Sequence, residues 1–350
     1  IRGDRAILTI YSDSHRLQHG QSELVDGQLK PCYEMPRRAD LVLDQVKQRG
    51  LGAVESPEDW PLEALTRVHD RDYVDFLQNA WTDWSADGRS HDALPLAWSV
   101  RGLRDIVPQS IMGRLSYYSF DAGTPITAGT WQAVKGSADV ALSGQVRLIR
   151  ENHRAVFSLC RPPGHHAAAN YYGGYCFLNN AAIAAQALRD QGAERVAVFD
   201  VDYHHGNGTQ SIFYDRADVF FASVHGDPHE NFPFFLGHAD ETGRGAGEGF
   251  NANWPLAWGS GFDSWQDAFN QALERLRDYG PDVLVISLGV DTFKDDPISG
   301  FKLESDDYFK IGRALAGLNR PTLFIMEGGY AVEEIGINTV NLLTGFEEAA

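Results

Sequence analysis

Basic residues, cysteines and long apolar runs are all scarce in this chain, and each shortage excludes something. Thirty Lys and Arg stand against 48 Asp and Glu, a formal net charge of −18 at pH 7. Nucleic-acid binding relies on clustered cations that neutralise phosphates, so no nucleic-acid partner is expected. The imbalance suits a cationic ligand, although acidity also serves solubility. Apolar runs are broken by charges or Gly well short of the roughly 20 residues that a spanning helix needs, so no membrane partner is expected either. Cys32, Cys160 and Cys176 are scattered, odd in number and without a CxxC pair. Neither a disulfide framework nor a cysteine zinc site is implied, and a reducing cytoplasm is the expected location. The opening IRGDRAILTIYSDSH (1–15) lacks the long apolar region and small-residue cleavage site of a secretory signal. It reads as a first strand behind a trimmed start.

What is present is an ordinary globular composition, 43% hydrophobic and 22% charged over 350 residues, so disorder is not expected. Continuous runs rich in β-branched and aromatic residues recur at 6–12, 155–160, 195–202, 219–226, 282–291 and 322–329, as strands covered on both faces should read. Helical patterns lie between them. NNAAIAAQALRDQG (179–192) carries an Asn cap, and SDDYFKIGRALAGL (305–318) opens on Ser305 as its candidate cap. Such alternation predicts an α/β parallel sheet with helices on both faces. Residues 79–130 break the pattern, with Trp81, Trp84 and Trp98 among Gly, Ser, Asp and Pro and no clear period. It is either a long surface excursion on the core or, because exposed Trp is costly in water, a pocket wall or subunit contact, and the second is the expectation.

Ligands of open parallel sheets bind outside the carboxyl ends of the strands. Here those ends carry RPPGHH (161–166), DVDYHHGN (200–207), SVHGD (223–227), GVDTFKDDP (289–297) and EGGY (327–330). If the chain stays extended, Asp200, Asp202 and His204 point to one side. A divalent metal would reconcile two carboxylates and an imidazole there, with Asp291 as a further ligand; a hydrogen-bonded Asp–His cluster without metal is the alternative. Adjacent His165 and His166, projected by a Pro-Pro-Gly turn, suit acid/base work near neutral pH. Tyr330 follows two glycines and could donate to a developing oxyanion.

Taken in this order, RPPGHH, GGYCFLNN, DVDYHHGNGT, SVHGD, SLGVDTFKDDP and MEGGY resemble the zinc-dependent histone deacetylase family, and within it most closely the bacterial acetylpolyamine amidohydrolases. The resemblance is strong over about 155–335 and fainter through 5–78. It implies a single arginase/deacetylase domain over 1–350, with a central eight-stranded parallel sheet flanked by helices. It implies one zinc ion on Asp202, His204 and Asp291. One potassium ion would sit by Asp200, Ser223 and the carbonyls of Asp202, His204 and Val224, and a second near Phe213, Arg216 and Val219. His166 becomes the main acid/base, His165 its assistant and Tyr330 the oxyanion donor. Asp200 would bond His165, and Asn207 would orient His166. Where many histone deacetylases place a second carboxylate, Asn207 adds no charge, which should leave His166 a base at rest.

Tyr175, Phe232 and Gly174 would line the pocket, and Asp121 is the nearest acid to a substrate ammonium. The insertion at about 79–130 would narrow the mouth and pack across a homodimer. The implied reaction is zinc-dependent hydrolysis of acetylated polyamines or diamines to acetate and free amine. Two alternatives are a lysine deacetylase acting on peptides or proteins, and a silent binding protein of the same fold.

Overall fold

The computed structural model describes residues 6–349; the first five residues of the opening run lie outside it. The strands are β1 (Leu8–Ile10), β2 (Ser22–Val25), β3 (Gln28–Pro31), β4 (Val54–Glu55), β5 (Ala155–Ser158), β6 (Val196–Asp200), β7 (Val219–Gly226), β8 (Asn251–Leu256), β9 (Val283–Leu288) and β10 (Thr322–Met326). Eight of them form one sheet, in the order β4-β1-β5-β10-β9-β6-β7-β8. Every pairing in it is parallel. All six strand-like runs of the sequence are strands. The two the sequence hid are both edges. β4 has only two residues, and β8 contains Pro255, which an edge tolerates because one side of its ladder is free.

Alternation along the buried strands sorts side chains to two faces. Leu284, Ile286 and Leu288 of β9 and Phe324 and Met326 of β10 join one core, whereas Val283, Val285, Leu323 and Ile325 join the other. The first core is covered by α1 (Arg37–Gln48), α8 (Phe262–Tyr279), α9 (Asp307–Ala316) and α10 (Ile335–Glu348). The second lies under α5 (Thr130–Arg150), α6 (Asn180–Asp190) and α7 (Asn207–Phe213). Phe199 of β6 stacks on Phe269 at 5.4 Å, and Trp265 continues the stack at 4.8 Å. Removing any one of these three rings would cost about 3–5 kcal/mol.

Asn179 caps α6 as expected, its Oδ1 accepting from Ala182 N at 2.9 Å. Ser305 does not cap α9. That helix begins at Asp307, whose own carboxylate accepts from Glu304 N at 2.9 Å and closes the turn instead. A single helical turn, α2 (Leu62–Leu65), precedes the 79–130 stretch, which is more regular than its composition suggests. It contains the end of α3 (Arg71–Ser85) and all of α4 (Ile111–Tyr118), capped by Ser110. Trp84 is buried and Trp81 and Trp98 are half-buried, while the exposed apolar surface is aliphatic: Leu96, Val100, Leu103 and Ile106 are each more than half exposed.

Candidate functional site

Strands β5, β10, β9 and β6 are neighbours, so the segments leaving their carboxyl ends meet at one place above the middle of the sheet. These segments are 161–166, 327–330, 289–291 and 200–207. β6 ends at Asp200, and the chain then turns instead of staying extended. That turn separates three residues whose spacing suggested a single face. Asp202 and His204 join Asp291, with one possible ligand atom from each lying within 4.8 Å of the others. Asp200 faces away, its Oδ2 2.8 Å from His165 Nδ1 and its Oδ1 accepting from Asp202 N at 3.1 Å.

His204 Nδ1 lies 3.0 Å from Asp291 Oδ2 and 3.4 Å from Asp202 Oδ1, and both carboxylates are fully buried. The backbone holds the acids: Gly328 N donates to Asp202 Oδ2 and Tyr203 N to Asp291 Oδ1, both at 2.8 Å. Position 328 must be glycine, because a Cβ there would lie 2.5 Å from Asp202 Oδ2 and 2.6 Å from Asp291 Oδ2. Burial, then the charge of Asp202, push the Asp291 carboxyl up to about 7. Two such carboxylates with one imidazole form an oxygen and nitrogen donor set that a divalent cation satisfies and that is costly without one. The residues present therefore fit a metal ion. A second group, His165, Cys176 and Glu327, also has closely spaced ligand atoms. Its members are engaged elsewhere: His165 with Asp200, and Glu327 with the amides of Gly164 and His165 at 2.7 and 3.1 Å.

The two adjacent histidines have unlike partners. Their ring centroids are 4.0 Å apart. Burial disfavours charge on His165, but the carboxylates of Asp200 and Asp202 outweigh it and hold its pKa well above the ordinary range. His166 is held well below that range, first by burial and then by the neighbouring His165 and His204. Its Nδ1 meets Asn207 Oδ1 at 2.6 Å, while Asn207 Nδ2 donates to His166 O at 3.3 Å. An amide oxygen only accepts, so the proton resides on Nδ1 and leaves Nε2 as a free base.

Tyr330 is 5% exposed, with its ring 5.5 Å from that of Tyr175. Burial raises its phenol well above 10, so it stays a donor at neutral pH. His166, His204 and Tyr330 share a cavity of about 270 Å³ with Tyr175, Phe232, Gly174, Asp121, Glu23 and Ile298. Phe232 meets the His166 ring edge-on at 5.0 Å. Gly174 has φ +55°, and any side chain there would strike the His166 ring. Asp121 lines the cavity, but its carboxylate already accepts from Gly123 N, Thr124 Oγ1 and Gly174 N at 3.2, 2.9 and 2.6 Å. From the 79–130 stretch only Asp121, Ala122 and Gly123 reach the cavity.

Sequence reasoning missed Glu23, Ile298 and the hairpin β2–β3 that carries Glu23. The Asp26-Gly27 turn, with both φ positive, was the available signal. Glu23 accepts from Tyr175 Oη at 3.0 Å and leaves its Oε2 without a partner. Around the first expected monovalent site, Asp200 and Ser223 are paired in register across β6 and β7, and Ser223 Oγ lies 2.7 Å from His225 Nδ1. At the second, Phe213 O accepts from Arg216 N at 3.0 Å, and the Arg216 guanidinium is paired with Asp218.

A model of the histone deacetylase domain matches residues 32–345. The chain is 64% identical to acetylpolyamine amidohydrolase 2 of Pseudomonas aeruginosa, over 97% of this chain and 99% of that protein. It is 60% identical to acetylpolyamine amidohydrolase 1 of the same organism, over 98% and 100%. Among solved structures, acetylpolyamine aminohydrolase from Burkholderia pseudomallei superposes with a TM-score of 0.93 at 36% identity, over 98% of this chain and 99% of that one.

Proposed function

The chain belongs to the histone deacetylase family and is a hydrolytic deacetylase, and from that premise we propose that it removes acetyl groups from acetylated polyamines or diamines. The observation that carries this reading is the meeting, in one cavity, of a neutral histidine base, a protonated phenol and His204 of a buried Asp–His–Asp donor set. The aromatic walls Tyr175 and Phe232 suit a slender aliphatic chain, and the acids Glu23 and Asp121 suit an amine.

Asp202, His204 and Asp291 would hold one zinc ion. Bound there, it supplies Lewis-acid activation of the amide carbonyl and of the attacking water. His166 Nε2 takes the proton from that water as it attacks and returns it to the departing nitrogen. Tyr330 Oη donates to the carbonyl oxygen as negative charge grows on it. His165, held cationic by Asp200, keeps His166 from being protonated prematurely, and Asn207 fixes its tautomer. The products are acetate and the free amine. Potassium beside Asp200 and Ser223 would offset the buried charge behind His165, and a second potassium ion would sit near Phe213, Arg216 and Val219. The exposed aliphatic face between Leu96 and Ile106 is read as the contact of a homodimer, and a reducing cytoplasm fits the three buried free thiols.

Acetate release from a panel of acetylputrescine, acetylcadaverine and acetyl-lysine peptides, with and without chelator, tests the reading. Turnover of the diamines that chelator abolishes is expected. Exclusive turnover of peptides would favour the lysine deacetylase alternative, and no turnover with no bound metal would favour a silent binding protein.

A further inference from the structure

The segments carrying His165 and His166 on one side and Tyr330 on the other leave different strands, yet a closed ring of buried bonds joins them. Arg38, on α1, donates through Nε to Gly329 O at 2.6 Å and through Nη2 to Glu327 O at 2.7 Å, and its guanidinium lies 4.6 Å from the Tyr330 ring centroid. Arg161, which opens the histidine segment, donates to the carbonyls of His15 and Gln18. The Glu327 carboxylate binds the Gly164 and His165 amides from the opposite side. The ring closes through one side chain. Glu34 Oε1 accepts from Arg38 Nη1 at 2.7 Å and lies 2.7 Å from Arg161 Nε, while its Oε2 accepts from Arg161 Nη2 at 2.9 Å. Glu34, Arg38 and Arg161 are each at most 5% exposed, and among the described residues no other carboxylate is in ion-pair contact with either guanidinium.

We infer that Glu34 is a positioning residue for this active site, setting the histidine base and the tyrosine donor relative to each other through Arg161 and Arg38. One carboxylate is the shared ion-pair partner of two buried cations, so an amide cannot replace it: in Glu34→Gln the side-chain amide would turn an N–H toward a guanidinium and leave both without an anionic partner. Both segments would then relax, and misplacement of about 1 Å between reacting groups costs up to about 100-fold in rate. Aspartate keeps the charge but reaches less far.

The inference rests on the proposed deacetylation for its kinetic arm alone. With metal-loaded protein, Glu34→Gln is expected to lower kcat on the best acetylated amine about 10- to 100-fold with KM within about threefold of wild type. Glu34→Asp should recover part of that loss. Amide exchange, which does not depend on turnover, should rise in residues 161–168 and 327–331 of Glu34→Gln while strands β6 and β7 keep wild-type protection. Wild-type kcat and exchange in Glu34→Gln would overturn the inference. So would exchange raised throughout the chain with no recovery in Glu34→Asp, which marks a purely structural role, as would failure of both variants to fold. If the wild type releases no acetate from any amine, the deacetylation reading fails and the exchange pattern still decides the role of Glu34.

Discussion

The rim above the central strands and the excursion through residues 86–110 treat their side chains in opposite ways. At the rim, Asp200, Asp202, Asp291 and Glu327 are fully buried, and each accepts hydrogen bonds from backbone amides or neighbouring side chains. In the excursion, Leu96 is 76% exposed and Val100 and Leu103 are each 62% exposed, while little regular backbone holds them. The rim places expensive polar groups where every donor is fixed, which is what a reaction needs. The excursion leaves cheap apolar groups uncovered, which is what an association surface needs.

The largest effects should come from breaking the rim. Asp291→Asn removes one of two carboxylates beside His204, and acetate release should fall to background together with metal content; metal analysis paired with the activity assay checks both. Activity without bound metal would remove the donor set from the mechanism. Tyr330→Phe is milder, since it deletes only the donor. Metal should remain bound while kcat falls roughly 10²- to 10³-fold, and near-normal turnover would assign the oxyanion contact elsewhere.

A subtler change probes the contrast between the two histidines. In Asn207→Asp a carboxylate replaces the amide 2.6 Å from His166 Nδ1. Burial and the cationic His165 hold His166 below its ordinary pKa, and an added negative charge opposes both. The folded pKa of a base that must be neutral then rises, so activity is lost at the acid end of the profile. The acidic limb of kcat/KM should move up by about one pH unit, with little change above it. An unmoved limb would mean that His166 is not the titrating base.

How far the sequence reveals each region follows from the physics of each. The rim is legible because chemistry, not packing, selects its residues: paired His, closely spaced Asp and glycines that no side chain can replace. Even so, the extended-chain reading of Asp200, Asp202 and His204 failed, because periodicity cannot show that β6 stops at Asp200. Glu34 and Arg38 were invisible for a related reason. A lone Glu and Arg four apart read as a helix-surface pair, and only the tertiary fold brings Arg38 under Tyr330 and Glu34 between Arg38 and Arg161. Strands β4 and β8 escaped because edges lack the continuous apolar run that marks buried strands. In the excursion, tryptophan drew attention, but Trp84 turned inward and the exposed surface fell to residues whose type says nothing about orientation.

The smallest effect on chemistry, and the sharpest on the comparison, should come from making that surface polar. Leu103→Asp with Ile106→Asp puts charge on an exposed aliphatic face that does not line the active-site cavity, so folding and metal content should be unchanged. If the face joins two copies, light scattering should report monomer where the parent is a dimer. The cavity floor is untouched, so kcat/KM for acetylputrescine should stay within about threefold. If the partner copy also narrows its mouth, the ratio of peptide to diamine turnover should rise on dissociation. Dissociation without any change in that ratio would leave the excursion an assembly surface alone, and selectivity would then rest on Glu23, Asp121 and the aromatic walls.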